Sequence, residues 1–412
     1  MGWLTIPREV TENRIRVLQV VGNLERGGGQ EVVRTLVGHL AEAGADPVVV
    51  SLADGPLRRD IEAAGTRVVI IRERTTSLVD GWRGIREIMR IREDLAAVAR
   101  EHEARVVQTH LLRSLDFVAL TLRSSRDVDV VLWTVHNALL DLRPDQLPGN
   151  AWLLGPKRIA HRFMYRVGGR IADGFVAVSD DVGSSVRHAY RPPRSRLTVI
   201  PNGVEVERYG ASIDRGAVRS SIGVPADAPM AIVVAKLMTQ KGHAVLLDAL
   251  HRVHEQFPQL RTVLVGAGEL RGELEARVQR ERLGGRVVFL GDRADIPALL
   301  AASDVFVLPS LWEGLPMALL EAMASGLPVI ASAVSGTRQV VEPGRSGVLV
   351  PAGDPDALSQ AITRVLQDPA LAARLGAGAR ARVEDCYSAR AQAQRHVQLY
   401  RTRLSAREGG RM

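Results

Sequence analysis

Lys236 and Lys241 are two of only three lysines in this 412-residue chain, and they stand five positions apart just after the apolar run Met230–Ala235. The other 51 basic residues are arginine. A strand end followed by a helix start offers free N–H groups, and two ammonium groups beside them would neutralise a diphosphate. The competing reading, two solvated surface lysines, sits poorly with a sequence that otherwise uses arginine. A second group follows the run Val305–Leu308: Pro309-Ser310-Leu311-Trp312-Glu313-Gly314-Leu315-Pro316, then a helix carrying Glu321. Gly314 permits close backbone approach, and Pro316 suits the first helical turn, where no N–H is needed. Carboxylates such as Glu313 and Glu321 accept hydrogen bonds from hydroxyls, which is what sugar recognition requires. Glu321 could be a solvated helix carboxylate, but its neighbours Met317, Ala318, Leu319, Leu320, Ala322 and Met323 are apolar.

The N-terminal half has a matching set. Gly27, Gly28 and Gly29 lie between the run Ile15–Val21 and a helix expected over Glu31–Ala43, where the backbone can approach a phosphate or sugar. His110 ends the run Arg105–Thr109, and His136 with Asn137 ends Asp129–Val135. A lone histidine is often structural, but two at successive strand ends suggest one wall of a site.

These residues need strands to carry them. Ile15–Val21, Asp46–Ser51, Arg67–Ile71, Arg105–Thr109, Asp129–Val135 and Gly174–Val178 are continuous apolar runs of strand length, as in a parallel sheet covered on both faces. Helical stretches, such as Trp82–His102 and Ser114–Arg123, separate them. A second series runs Met230–Ala235, Arg261–Val265, Arg286–Leu290, Val305–Leu308, Pro328–Ala331 and Gly347–Val350. The expected fold class is therefore α/β, with two Rossmann-like domains facing across a cleft. The turn Ile200-Pro201-Asn202-Gly203 places the boundary: residues 1–200 form the first domain and 201–387 the second. Helices are expected over Pro355–Gln367, Leu371–Asp385 and Ser388–Arg407, the last returning to the first domain, so that 388–412 belong with it.

Composition narrows the classes. Hydrophobic residues are 46% and charged residues 24%, as in a globular protein. The single cysteine, Cys386, excludes a disulfide framework. No apolar stretch of about 18 residues occurs and residues 1–11 lack a signal-peptide core, so a cytoplasmic protein, at most peripheral at the inner membrane face, is expected. The net charge of +8 raises nucleic-acid binding, but aromatics are 4%, basic residues form no consecutive block and acids are interspersed. Gly266-Ala267-Gly268 lacks the third glycine of a dinucleotide fingerprint. Asp127 with Asp129, and Asp354 with Asp356, have metal-pair spacing but stand where aspartate commonly begins strands and helices, so no metal and no cofactor is expected.

With these residues in view, the sequence resembles the retaining glycosyltransferases of family 4, over nearly its whole length. The most specific element is the paired-glutamate segment holding Glu313 and Glu321, from Pro309 to Ile330. Val199-Ile200-Pro201-Asn202-Gly203-Val204, Leu264-Val265-Gly266-Ala267-Gly268, Leu290-Gly291 and Ala302-Ser303-Asp304-Val305 support it. The resemblance implies the GT-B architecture and a nucleotide-diphosphate sugar as donor. It implies that Glu321 holds the ribose and Glu313 lies by the donor sugar. The amides of Gly314 and Leu315 would hold sugar hydroxyls and phosphate. Lys241 would neutralise the diphosphate with Lys236 beside it, and Gly28 and Gly29 would approach from the opposite domain. His136 would line the reaction centre, making His136, Glu313 and Lys241 the catalytic set, with Asn137 and His110 on the acceptor side. Where the family usually has Gly-Arg-Leu, this chain has Ala235-Lys236-Leu237, which keeps the charge but loses the bidentate fork.

The resemblance thus implies retaining, metal-independent transfer of a hexose-type sugar; the alternatives are a sugar-nucleotide epimerase on the same architecture or transfer to a soluble acceptor. The charge distribution bears on the acceptor. Residues 201–387 carry −2, while 1–200 and 388–412 carry +5 each. Within 152–170, Arg158, Arg162, Arg166 and Arg170 recur every fourth residue, with Ile159, Phe163 and Val167 beside them. Such a helix could lie on an anionic membrane, which suits a lipid-linked acceptor in cell-surface polysaccharide or glycolipid synthesis; the other reading is an amphipathic helix packed on the sheet. Neither the donor sugar, the linkage nor the oligomeric state is expressed in the sequence.

Overall fold

The structure, a computed structural model, describes residues 14–71, 81–110, 115–123, 128–136, 154–210 and 213–409. Continuous Val- and Ile-rich segments form two wholly parallel sheets. The first contains β1 (Ile15–Val21), β2 (Ala45–Ser51), β3 (Arg67–Ile70), β4 (Val106–His110), β5 (Val130–Val135), β6 (Gly174–Ala177) and β7 (Leu197–Val199), in the order β3-β2-β1-β4-β5-β6-β7. The second contains β8 (Met230–Val234), β9 (Arg261–Val265), β10 (Val287–Gly291), β11 (Val305–Leu308), β12 (Val329–Ser332) and β13 (Val348–Val350), in the order β10-β9-β8-β11-β12-β13. Helices cover the sheets, and the central strands are buried along nearly their full length.

Both sheets reverse their strand order at one place: between β1 and β4 in the first, between β8 and β11 in the second. Crevices open at the carboxyl ends of strands at such switch points, because successive connections leave to opposite faces there. The residues singled out for chemistry follow these strands. Gly27–Gly29 come after β1, His110 ends β4, Lys236 follows β8 and Glu313 follows β11.

The chain crosses between the sheets twice, side by side. Val204 N–H donates to the Tyr387 carbonyl (2.8 Å), and Ala389 N–H donates to the Val204 carbonyl (2.9 Å). A Cβ on Gly203 would stand 2.6 Å from the Ser388 carbonyl oxygen, so only glycine lets the strands of chain touch here. The last helix, Ala389–Gly409, then packs on the helix Gly28–Ala43 and reaches β1 and β5. Its buried face is Ala393, Val397, Tyr400 and Leu404. Each fully buried leucine or valine of this kind contributes on the order of 1.5–3 kcal/mol.

The observed elements differ from the sequence expectations in a few places. The first helix begins at Gly28, not Glu31, so Gly28 and Gly29 form its first turn. Pro316 caps the helix Met317–Ala324 from outside. Strand β7 and the helices Leu57–Ala63 and Asp180–Tyr190 are additional; the first two are too short to show a clear hydrophobic period, and the third is amphipathic and opened by Ser179, whose side chain accepts from Val182 N–H.

Candidate functional site: a cleft between the two sheets

A cleft of about 430 Å³ lies between the carboxyl ends of the two sheets. One wall carries Gly27, Gly28, Gly29 and His136; the other carries Lys236, Lys241, Glu313, Gly314, Leu315 and Glu321. The walls approach closely, since a Cβ built on Gly27 would stand 3.5 Å from the Lys236 ammonium. The helix Gly28–Ala43 has no side-chain cap at Gly27, which leaves the amides of its first turn without intrahelical partners at the cleft. Those amides and the positive end of the helix favour an anion.

On the opposite wall the sequence builds a rigid turn. After β8 a single 3₁₀ turn, Thr239–Lys241, leads to Gly242, which adopts φ +65°. A Cβ there would lie 2.0 Å from the Pro309 carbonyl oxygen, so this glycine locks the lysine loop against the loop after β11. Gln240 ties the same loops together by donating to the Trp312 carbonyl (2.9 Å), and its own carbonyl accepts from Leu311 N–H (2.8 Å).

Lys241 and Glu313 meet in this clamp. Lys241 Nζ is 2.5 Å from Glu313 Oε1, and Ser310 Oγ donates to the same oxygen at 2.7 Å. The Glu313 side chain is 4% exposed and that of Lys241 18%, so the pair is sheltered yet the ammonium reaches the cleft. Glu313 therefore orients Lys241, a relation that their 72-residue separation hides in the sequence. The Leu315 carbonyl accepts from Asn202 Nδ2 (2.9 Å), which anchors the glutamate loop to the segment after β7.

Glu321 is half-buried and lines the cleft with Tyr209. Burial, reinforced by the nearby Glu31 carboxylate, pushes the Glu321 carboxyl up to about 7. Glu31 itself is gripped by Arg34 (2.7 Å), which also holds Glu205 (2.8 Å), and Arg208 joins Glu205 at 3.2 Å. This charged cluster flanks the Glu321 end of the cleft, where Arg208 and Tyr209 are part of the lining. Sequence reasoning missed it, because its members are scattered over 177 residues of an arginine-rich chain and match no motif. Asp292 and Arg293, just beyond β10, also line the cleft.

His136 follows β5 and lines the cleft. His110 stands behind it, 1% exposed, with Nδ1 3.3 Å from His136 Nε2, and is not part of the lining. Burial, with His396 nearby, pushes His136 down to about 4, and burial together with His136 and His396 holds His110 well below the usual imidazole range. Both rings are neutral at pH 7. Asn137 lies outside the described residues. Among the described residues no group of three His, Cys, Asp or Glu side chains is placed to hold a metal ion.

Two parallel sheets facing one cleft at their switch points define the GT-B class of glycosyltransferase folds. The model for "Glycosyltransferase Family 4" matches residues 26–208 and the model for "Glycosyl transferases group 1" matches 214–382; the chain belongs to this family. It is 36% identical, over 47% of its length, to the UDP-Gal:alpha-D-GlcNAc-diphosphoundecaprenol alpha-1,3-galactosyltransferase of Escherichia coli, of which the match spans 51%. It is 30% identical over 57% of its length to the D-inositol 3-phosphate glycosyltransferase of Streptomyces avermitilis, spanning 53% of that protein. The chain thus spans about half the length of the curated relatives it matches. Among solved structures, Anabaena HepE in complex with UDP-glucose superposes with a TM-score of 0.78 at 21% identity, covering 94% of this chain and all of that one. The sucrose-phosphate synthase of Thermosynechococcus elongatus gives 0.77 at 25%, covering 95% and 100%.

Proposed function

We propose that the protein is a retaining glycosyltransferase that moves a hexose-type sugar from a nucleotide-diphosphate sugar to an acceptor, without a metal ion. The observation that carries this reading is the pairing, across one cleft, of free helix amides at Gly28 and Gly29 with Lys236 and Lys241. A diphosphate between them would meet donors from both sides. Glu321 would accept the ribose hydroxyls as a carboxylate, and Glu313, Gly314 and Leu315 would border the sugar. Asp292 and Arg293 would lie towards the base.

The bond from the anomeric carbon to the diphosphate oxygen breaks through an oxocarbenium-like state, and its electron pair leaves with the diphosphate. Lys236, Lys241 and the helix amides stabilise that growing charge, an arrangement able to contribute several kcal/mol because it is already in place. The acceptor oxygen attacks from the same face, and a departing phosphate oxygen takes the acceptor proton. Glu313 keeps Lys241 in position during this step. His136, neutral, borders the sugar.

The proposed acceptor is lipid-linked and is met at the inner face of a membrane. The helix Leu154–Ile171 supports this: Ile159 (72%), Phe163 (68%), Val167 (44%) and Ile171 (45%) stand exposed at four-residue spacing, with Arg170 exposed beside them. The packed-helix alternative would bury this stripe. Exposed apolar groups beside arginines fit an anionic lipid surface. The E. coli relative is named for a diphosphoundecaprenol acceptor, which agrees with a role in cell-surface glycan synthesis. Release of nucleoside diphosphate from a donor panel, with and without polyprenyl-diphosphate sugars, tests the reading. Acceptor-dependent release lost in Glu321→Ala and Lys241→Ala is the expected result. Equal release without acceptor, or wild-type turnover in either folded variant, contradicts it.

A further inference from the structure

Behind His136 a line of buried polar side chains runs through the first sheet to the last helix. His110 Nε2 is 2.6 Å from Gln19 Oε1, and Gln19 Nε2 donates to the Tyr400 hydroxyl (3.0 Å). Tyr400 donates to Gln108 Oε1, and Gln108 Nε2 donates to Thr134 Oγ1 (2.6 Å). Gln19, Gln108 and Tyr400 are all 0% exposed. Two glutamines on adjacent central strands are poor core residues unless every amide atom is paired. The orientation of the two amides gives the line its direction, because an amide oxygen only accepts and an amide nitrogen only donates.

The direction passes from link to link. Gln108 Oε1 takes the Tyr400 proton, so the Tyr400 oxygen accepts from Gln19 Nε2. Gln19 Oε1 is then left to accept, which requires the His110 proton on Nε2. A neutral His110 offers a lone pair at Nδ1, and His136 Nε2 must carry the proton that fills it. The remaining ring nitrogen, His136 Nδ1, has no protein partner among the described residues, on a ring that lines the cleft.

We propose that this relay fixes His136 as the Nε2–H tautomer and presents its Nδ1 lone pair to the cleft, as the acceptor of a hydrogen bond from a sugar hydroxyl. Gln19 and Tyr400 are the positioning residues, so the last helix helps to set a group at the site. The burial that keeps both imidazoles neutral agrees with this. The sugar as ligand rests on the glycosyltransfer reading; the tautomer does not, and is measured without any substrate.

The test is a long-range ¹H–¹⁵N correlation spectrum of the full chain labelled at histidine, assigned with His110→Gln and His136→Gln. The expected result is Nε2–H at both residues, in about tenfold or greater excess. Nδ1–H at His136 means that the relay runs the other way and overturns the proposal. In Tyr400→Phe and Gln19→Leu, with folding checked by circular dichroism, a mixture of His136 tautomers is expected. An unchanged Nε2–H signal in a folded variant of either kind removes the positioning role. If both variants fail to fold, the wild-type spectrum still decides: Nε2–H at His136 sustains the proposal and Nδ1–H there overturns it.

Discussion

Glu321→Gln is expected to stabilise the protein at alkaline pH while removing the donor. The Glu321 carboxyl is pushed from 4.5 to about 7, by burial first and by the Glu31 carboxylate second. A carboxyl raised in the folded state is penalised when ionised, so the cost is full above pH 7. It shrinks as pH falls from 7 towards 4.5, where the unfolded chain also takes up the proton. A shift of this size corresponds to about 3 kcal/mol above pH 7 and to less than about 1 kcal/mol at pH 5. Glutamine has the shape of the protonated acid and carries no charge to desolvate. For a domain of this size each 1 kcal/mol moves the thermal midpoint by roughly 2–4 °C. Scanning calorimetry at pH 8 and pH 5 should therefore show a variant several degrees more stable than wild type at pH 8 and nearly equal to it at pH 5. The same variant should lose affinity for nucleotide-diphosphate sugars, as expected where a destabilised charge serves binding. An equal difference at both pH values, or a less stable variant at pH 8, refutes the assignment of a raised, functional carboxylate.

Other expectations follow from particular contacts. Lys241→Met should lower transfer by about 10²–10³; it leaves the sheltered Glu313 without its counter-ion, so Lys241→Met with Glu313→Gln should recover stability but not activity in paired melting and turnover measurements. Gly242→Ala forces a Cβ onto the Pro309 carbonyl at positive φ and should lower the thermal midpoint and weaken donor binding together. Phe163→Glu should abolish sedimentation with phosphatidylglycerol vesicles at low salt while leaving unfolding unchanged; undiminished sedimentation counts against the lipid-facing helix.

Much of this arrangement is legible in the sequence, for identifiable reasons. Buried parallel strands read as unbroken apolar runs, so β1 is found over Ile15–Val21 and β9 over Arg261–Val265, as expected. Lys236, Lys241, Glu313 and Glu321 stand out because the chemistry lies just after strands and is local in sequence. Relations that depend on tertiary approach are not legible. The Lys241–Glu313 pair, the Arg34–Glu205 contact and the Gln19–Tyr400 bond join residues 72, 171 and 381 positions apart. His110 shows the same limit: its place at a strand end is readable, but its position behind His136 is set by the register of β4 against β5. The stripe Ile159, Phe163 and Val167 is periodic in sequence, yet periodicity alone does not tell a buried face from an exposed one.

The central claim is that the cleft binds a nucleotide-diphosphate sugar through Glu321 and the lysine loop. Thermal shift of the wild-type chain and of Glu321→Ala across a panel of nucleotide-diphosphate sugars tests it most directly, since a ligand of the folded state raises the midpoint. At least one sugar nucleotide is expected to stabilise the wild type and to leave Glu321→Ala unmoved. Equal stabilisation of both proteins, or no stabilisation of the wild type by any member of the panel, contradicts the account.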